Sequence, residues 1–165
     1  MFDKIETPRE LFTHKLGAAL TMEETVLGML GHLEEAAQSQ ELKQQLRHHA
    51  EETRQQITNL EQAFSALGVE ADDKPCPAIE GIEKEGQSML KMADEPLVDA
   101  VILGGAAATE HHEIAVYENL ITQAEAMGEQ DVVALLQENL EQEEAALRLA
   151  KQLGQQLARQ TVQAT

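Results

Sequence analysis

Four glutamates and a histidine occupy positions where the surrounding pattern calls for an apolar side chain, and a fifth glutamate lies beside one of them. One stripe of the sequence reads Phe12, Leu16, Ala19, Glu23, Val26, Leu30, Leu33, Ala37. A second reads Leu46, His49, Thr53, Gln56, Leu60, Ala63, Leu67, with Glu52 beside it. A third reads Leu103, Ala106, Glu110, Glu113, Tyr117, Leu120, Ala124, Met127, and a fourth Val133, Leu136, Leu140, Glu143, Leu147, Ala150, Gly154, Leu157. Steps of four and three residues trace one face of a helix. A carboxylate in such a seam is costly unless positive charge meets it, and no Lys or Arg lies in any of the four. Converging carboxylates also push one another's pKa values up. Two divalent cations would neutralise the group and satisfy its oxygens. Carboxylate and imidazole donors suit iron or manganese.

The candidates differ in weight. Glu110 and Glu113 are three residues apart on one face, amid Leu, Ala, Tyr and Met, and either could bridge two ions. Glu23 and Glu143 are single interruptions, and a lone seam glutamate is often no more than an exposed edge. In the second stripe Glu52 is the preferred ligand and Glu51 points further outward. His49 is either a ligand or a donor that orients a carboxylate. Gln56, one turn on, reads as a hydrogen-bonding partner. Tyr117 is either a core aromatic with a satisfied hydroxyl or a hydrogen-bond donor to a ligand. His111 is a candidate support for the site from outside, whereas His112 reads as surface. His14, His32 and His48 receive no role.

Long helices must position these residues. The chain has 165 residues, 42% hydrophobic but only 2% aromatic, so Leu, Ala and Met build its core, as suits helices. Its length fits one domain. Thr7-Pro8-Arg9-Glu10 is a helix start, and the spacing predicts helices over about 7–37, 40–67, 78–92, 95–127 and 129–157. Asp94 is expected to cap the fourth of these, and the tail from Gln160 to Thr165 is expected to fray. Short links join the first pair and the last pair of long helices. About 25 residues, carrying the short helix, separate the pairs. Two antiparallel hairpins joined by one long crossover make an all-α, ferritin-like four-helix bundle. Antiparallel packing places all midpoints at one level, so the acids should converge in a single layer.

The formal charge of −18 opposes binding to nucleic acid or anionic lipid, and most of the acids read as a solvated face. Cys76 is the only cysteine, which excludes an intrachain disulfide and a thiolate metal cluster and fits a cytoplasmic protein. The stretch MFDKIETPRE has no apolar run like a signal peptide, and no apolar stretch is long enough to span a membrane. Ile102, Ile114 and Ile121 extend beyond the third stripe and offer a face for self-association.

Four strings resemble the YciE/YciF family of bacterial ferritin-like proteins: Arg47 to Thr53, Pro77 to Gly81, Glu110 to Tyr117, and Asn139 to Glu143. The resemblance spans nearly the whole chain, and the Glu110 to Tyr117 string is its most specific part. It implies a homodimer with a di-iron or di-manganese centre, a link to stress responses, and peroxide or dioxygen as the small oxidant. It adds Glu80, which matches a family glutamate in the short helix and would lie over the open end of the site. One departure stands out. The Glu-x-x-His pair of many ferritin-like proteins is absent, since the sequence offers Glu51-x-x-Arg54 and Glu141-x-x-Glu144 instead. Three functions compete: a dinuclear oxidoreductase, an iron store, and a metal-free helical interaction module.

Overall fold

Thr7 begins the first helix by the expected reciprocal bonds. Its hydroxyl accepts from the Glu10 amide, and the Glu10 carboxylate accepts from the Thr7 amide. In the computed structural model, which describes residues 4–163 with side chains through 160, this helix is α1, Pro8–Ala36. Helix α2 spans Gln40–Ala66, with Ser39 as its cap. Gly68 follows in the left-handed region at φ 72°. Helix α3 spans Pro77–Met92, α4 Val98–Met127 and α5 Gln130–Gln163. Gly128, at φ 77°, makes the tight turn between the last two. Among the described residues there is no strand.

Two local expectations are corrected. The fourth helix does not begin at Glu95 under an Asp94 cap. Glu95–Leu97 form a 3₁₀ turn, and the Asp94 side chain makes no capping bond, because Pro96 supplies the turn and α4 starts after it. Helix α5 runs past Leu157 to Gln163, carried by good helix formers such as Gln, Leu and Ala. The rest of the expected fray, residues 164 and 165, lies outside the described residues.

The long helices pair as α1 with α2 and α4 with α5, and α1 also packs on α4 and α2 on α5. The result is a ferritin-like four-helix bundle. Its core holds Phe12, Leu16, Leu60, Ile102, Leu120 and Leu136, among others, in one continuous cluster. Charged side chains brace both ends. Arg9 of α1 donates to the Leu67 carbonyl at 3.0 Å and pairs with Glu129 at 2.9 Å, so it holds the end of α2 and the α4–α5 turn together. At the other end, both Asp99 oxygens accept amides of the α1–α2 link, Gln38 at 2.7 Å and Ser39 at 2.9 Å. A carboxylate at a helix N-terminus is favoured by the helix dipole as well.

The crossover is fastened. The Lys74 amide donates to the Gly17 carbonyl at 3.1 Å, and a Cβ at Gly17 would sit 2.2 Å from the Asp72 carbonyl oxygen. Helix α3 then packs on α4 and α1. Ile102 and Ile121 are buried within the chain, so that part of the face read as self-associating is already occupied.

Gly17→Ala should therefore destabilise the fold by about 1–3 kcal/mol, since backbone must move to admit the methyl. Gly28, also inside α1, has open space where a Cβ would go. Gly28→Ala should instead stabilise by roughly 0.5–1 kcal/mol. Urea unfolding of both variants measures the contrast.

Candidate metal centre

Three of the four long helices turn acids into the core at mid-bundle, one from α1, two from α4 and one from α5. Glu23, Glu113 and Glu143 are wholly inaccessible to solvent, and Glu110 nearly so. His49 of α2 joins them. Ligand atoms of His49, Glu110, Glu113 and Glu143 all lie within 4.8 Å of one another. Three helices thus supply the cluster: α2 with the imidazole, α4 with two carboxylates three residues apart, and α5 with one. Glu23 of α1 lies outside those four but next to them. It lies close enough to Glu113 that each carboxylate feels the other's charge.

The other sequence candidates fall around this group. Glu52 does not join the cluster. It stands behind the imidazole and takes the His49 Nδ1 contact at 3.1 Å, while also lying 3.4 Å from His48 Nε2. In this arrangement the histidine faces the acids and the glutamate lies behind it. The spacing of three placed both on one flank of α2, but the longer reach of Glu52 leaves it half-buried near the surface. Gln56 donates to Glu143 Oε1. The Tyr117 hydroxyl donates to Glu23 Oε1. His111 is exposed, because one residue past Glu110 is about 100° further round the helix. Glu80 is exposed on α3, beside the buried Ile79.

Two residues not singled out as site candidates complete the surroundings. Asn139 of α5 donates to the Tyr117 oxygen at 3.1 Å and to the Gln56 carbonyl at 3.2 Å. Asn59 of α2 donates to Asn139 Oδ1 at 2.8 Å. Both are buried. Their signal was available: each lies three residues from a stripe member, Gln56 or Leu136, on the side facing the core.

Electrostatics within the layer are strained by proximity. Burial pushes Glu23 up to about 7, although the Tyr117 hydrogen bond and His49 pull it back. Burial, then the charges of Glu143, Glu23 and Glu110, drive Glu113 well above the carboxylate range. Burial and Glu110 do the same to Glu143. For Glu110 burial also acts upward, but hydrogen bonding with Glu143 and the His49 charge outweigh it and hold it low. Burial would lower His49, yet the Glu110 and Glu52 contacts, with Glu143, raise it well above the imidazole range. Burial and then Glu23 push Tyr117 well up, so its hydroxyl keeps its proton.

Donor chemistry fits a cation. His49 Nε2 lies 3.2 Å from Glu110 Oε1 and 3.7 Å from Glu143 Oε2, near enough for charge pairing but not aligned for a hydrogen bond. Glu23 Oε2, Glu110 Oε2, both Glu113 oxygens and Glu143 Oε2 are buried without a hydrogen-bond partner. Buried polar atoms are ordinarily satisfied. One imidazolium cannot meet this many oxygens, whereas hard divalent ions bind such oxygen and nitrogen donors. The buried His49, Glu110, Glu113 and Glu143 group could hold a metal ion.

Comparison with known proteins agrees with this architecture. A family described as a domain of unknown function, DUF892, matches residues 7–163. Protein YciF of Escherichia coli strain K12 is 32% identical over 143 residues, covering 86% of each chain. Among solved structures, YcfI of Rhodopseudomonas palustris superposes with a TM-score of 0.88 at 37% identity, covering 92% of this chain and 98% of that one. The E. coli stress protein YciF superposes with a TM-score of 0.89 at 28% identity, covering 94% and 99%.

The raised carboxylates set a stability profile for protein stripped of metal. The folded state keeps protons on Glu23, Glu113 and Glu143 that the unfolded chain releases near 4.5. Stability present below pH 4.5 should then be lost as pH rises through about 7, the Glu23 value. Glu113→Gln removes one ionisation and should flatten that decline, raising the melting temperature of metal-stripped protein at pH 8. Thermal unfolding from pH 5 to 8 measures it; an unchanged slope would count against the buried-acid account.

Proposed function

This chain belongs to the DUF892 family, and we propose that it is a dinuclear iron or manganese oxidoreductase acting on peroxide or dioxygen. The observation that carries this reading is the set of buried, unpartnered carboxylate oxygens facing His49 Nε2 at mid-bundle. The candidate ligands are His49, Glu110, Glu113 and Glu143, with Glu23 beside them and Glu113, both of whose oxygens are free, suited to bridging. When bound, a pair of such ions supplies one-electron redox steps to a small oxidant.

The chain's own residues prepare the site. Glu52 fixes the His49 ring from behind, leaving Nε2 directed at the acids. Gln56 engages one oxygen of Glu143, and Tyr117 one oxygen of Glu23. Each leaves the second oxygen free for an ion. Asn139, held by Asn59, tethers Tyr117 and the Gln56 backbone together. These donors restrict carboxylate rotation, which sets geometry before an ion arrives. The surrounding side chains keep Glu23, Glu113 and Glu143 out of contact with solvent.

Relatives support the setting without defining the chemistry. One is called a stress protein, which favours a protective role toward oxidants. Another is described only as a candidate structural protein. A purely structural role leaves the buried acids unexplained, because Leu in their place would pack better and cost nothing to desolvate. The family resemblance further supports a homodimer in the cytoplasm. Size-exclusion chromatography tests the dimer against the large shell that an iron store requires.

Metal content decides the central claim. Protein loaded with iron or manganese and desalted should hold close to two ions per chain by inductively coupled plasma mass spectrometry. Glu113→Gln should hold well under half of that, and peroxide consumption should fall with it. Wild-type protein holding well under one ion per chain would sink the proposal. Binding should also release protons at pH 6.5, because ions displace them from Glu113 and Glu143; calorimetry in buffers of different ionisation enthalpy reads the number.

A further inference from the structure

On the side of the acid layer nearer the α1–α2 link, Leu30, Leu42, Leu46 and Leu103 each keep 5–7% of their surface open, and beside them lies a cavity of about 140 Å³. It lies between the four long helices, walled by those leucines with Leu149 and Leu153, and small side chains, Ala106 and Ala146, make its room. His49, Glu52 and Glu110 form its polar end, and of these His49 Nε2 and Glu110 Oε2 have no hydrogen-bond partner. Exposed His48 and half-buried Gln45 of α2 also line it, which puts its mouth on the α2 side.

Native interiors leave few voids larger than a water molecule, and room of about 150 Å³ among apolar side chains is enough to take up a molecule such as benzene, six carbons. A second cavity shares Leu42, Leu103 and Leu153 but is walled beyond them by Ser39, Glu41 and Gln156. The apolar section is therefore bounded: by the acid layer at one end and by polar side chains at the other.

We propose that this cavity binds the alkyl part of the molecule on which the centre acts. The ligand is a neutral, unbranched chain of about six carbons with a single oxygen-bearing end, and that end meets His49 and Glu110. The leucines take the chain and the acid layer takes the head. An anionic head is disfavoured, because Glu52, Glu110 and Glu143 surround the single imidazole. Bare hydrogen peroxide would leave the leucine-lined section without use. The inference rests on the proposed metal chemistry only for what happens at the head; binding of the chain depends on the cavity alone.

The probe is 1-hexanol, titrated into metal-stripped and manganese-loaded protein and followed by ligand proton relaxation. Saturable binding is expected in both forms. Affinity should rise about fourfold per methylene from butanol to hexanol and level off beyond, and hexanoate should bind at least tenfold more weakly. In the manganese-loaded protein the C1 protons should relax faster than the C6 protons. Ala146→Leu, which fills the cavity, should weaken hexanol at least tenfold with metal content unchanged, and Ala106→Val serves if that variant does not fold. Ala115→Leu, on the exposed face of α4, should leave affinity as it was. Absence of saturable binding, equal relaxation along the chain, or insensitivity to Ala146→Leu would each overturn the proposal. Hexanol binding with no metal retained would leave the cavity's role standing and remove the metal reading instead.

Discussion

Like charges brought together out of water are the constraint around which this molecule is arranged. Three helices carry four glutamates to the same depth, the fourth brings His49, and the space between them contains no lysine or arginine. Coulomb repulsion between carboxylates a few ångströms apart is weakly screened in an interior, so protons, one imidazole and a positive ion are the only available counterweights. The protonation pattern shows the compromise among protein groups: Glu110 keeps its charge beside His49, while Glu23, Glu113 and Glu143 are driven toward the neutral acid. A hydrophobic core would be more stable than this. Such a layer in the middle of an otherwise apolar bundle could hold an ion among His49, Glu110, Glu113 and Glu143.

Everything near the layer serves to keep it rigid. Polar residues in a helical core usually relax by rotating toward solvent. Here Gln56, Tyr117, Asn59 and Asn139 form a set of bonds linking α1, α2, α4 and α5. Buried hydrogen bonds that bridge helices in this way restrict how those helices can pack. On one side of the layer the apolar core leaves a cavity beside Leu42 and Leu103.

Much of this was legible in the sequence, because a helix writes its buried face at a fixed period. Glu23, Glu110, Glu113 and Glu143 interrupt that period, and equal helix lengths fixed their common depth. Their partners were harder to read. Which of His49 and Glu52 faces the acids turns on side-chain length and rotamer, which a spacing of three cannot distinguish. Asn59 and Asn139 sit beside the stripes, and only the interlocking of neighbouring helices decides whether such an amide faces a core or water. Asp99 escaped notice because its partners are main-chain amides of a link about sixty residues earlier, and backbone groups leave no mark in a sequence. Helix ends strayed for a similar reason: Pro96 permits a helix start or a 3₁₀ turn equally well.

The fastening of the crossover at Gly17 bears on how the molecule assembles from its halves. Two hairpins joined by a long strap are, in principle, free to pair with the hairpins of another copy, since the strap could reach either. Here the strap lies on α1 of its own chain, with the Lys74 amide bonded to the Gly17 carbonyl and no space for even a methyl group between them. That contact shortens the free tether and raises the local concentration of the second hairpin around the first. Exchange between copies is thereby placed at a kinetic disadvantage, and the acid layer closes from the four helices of one chain.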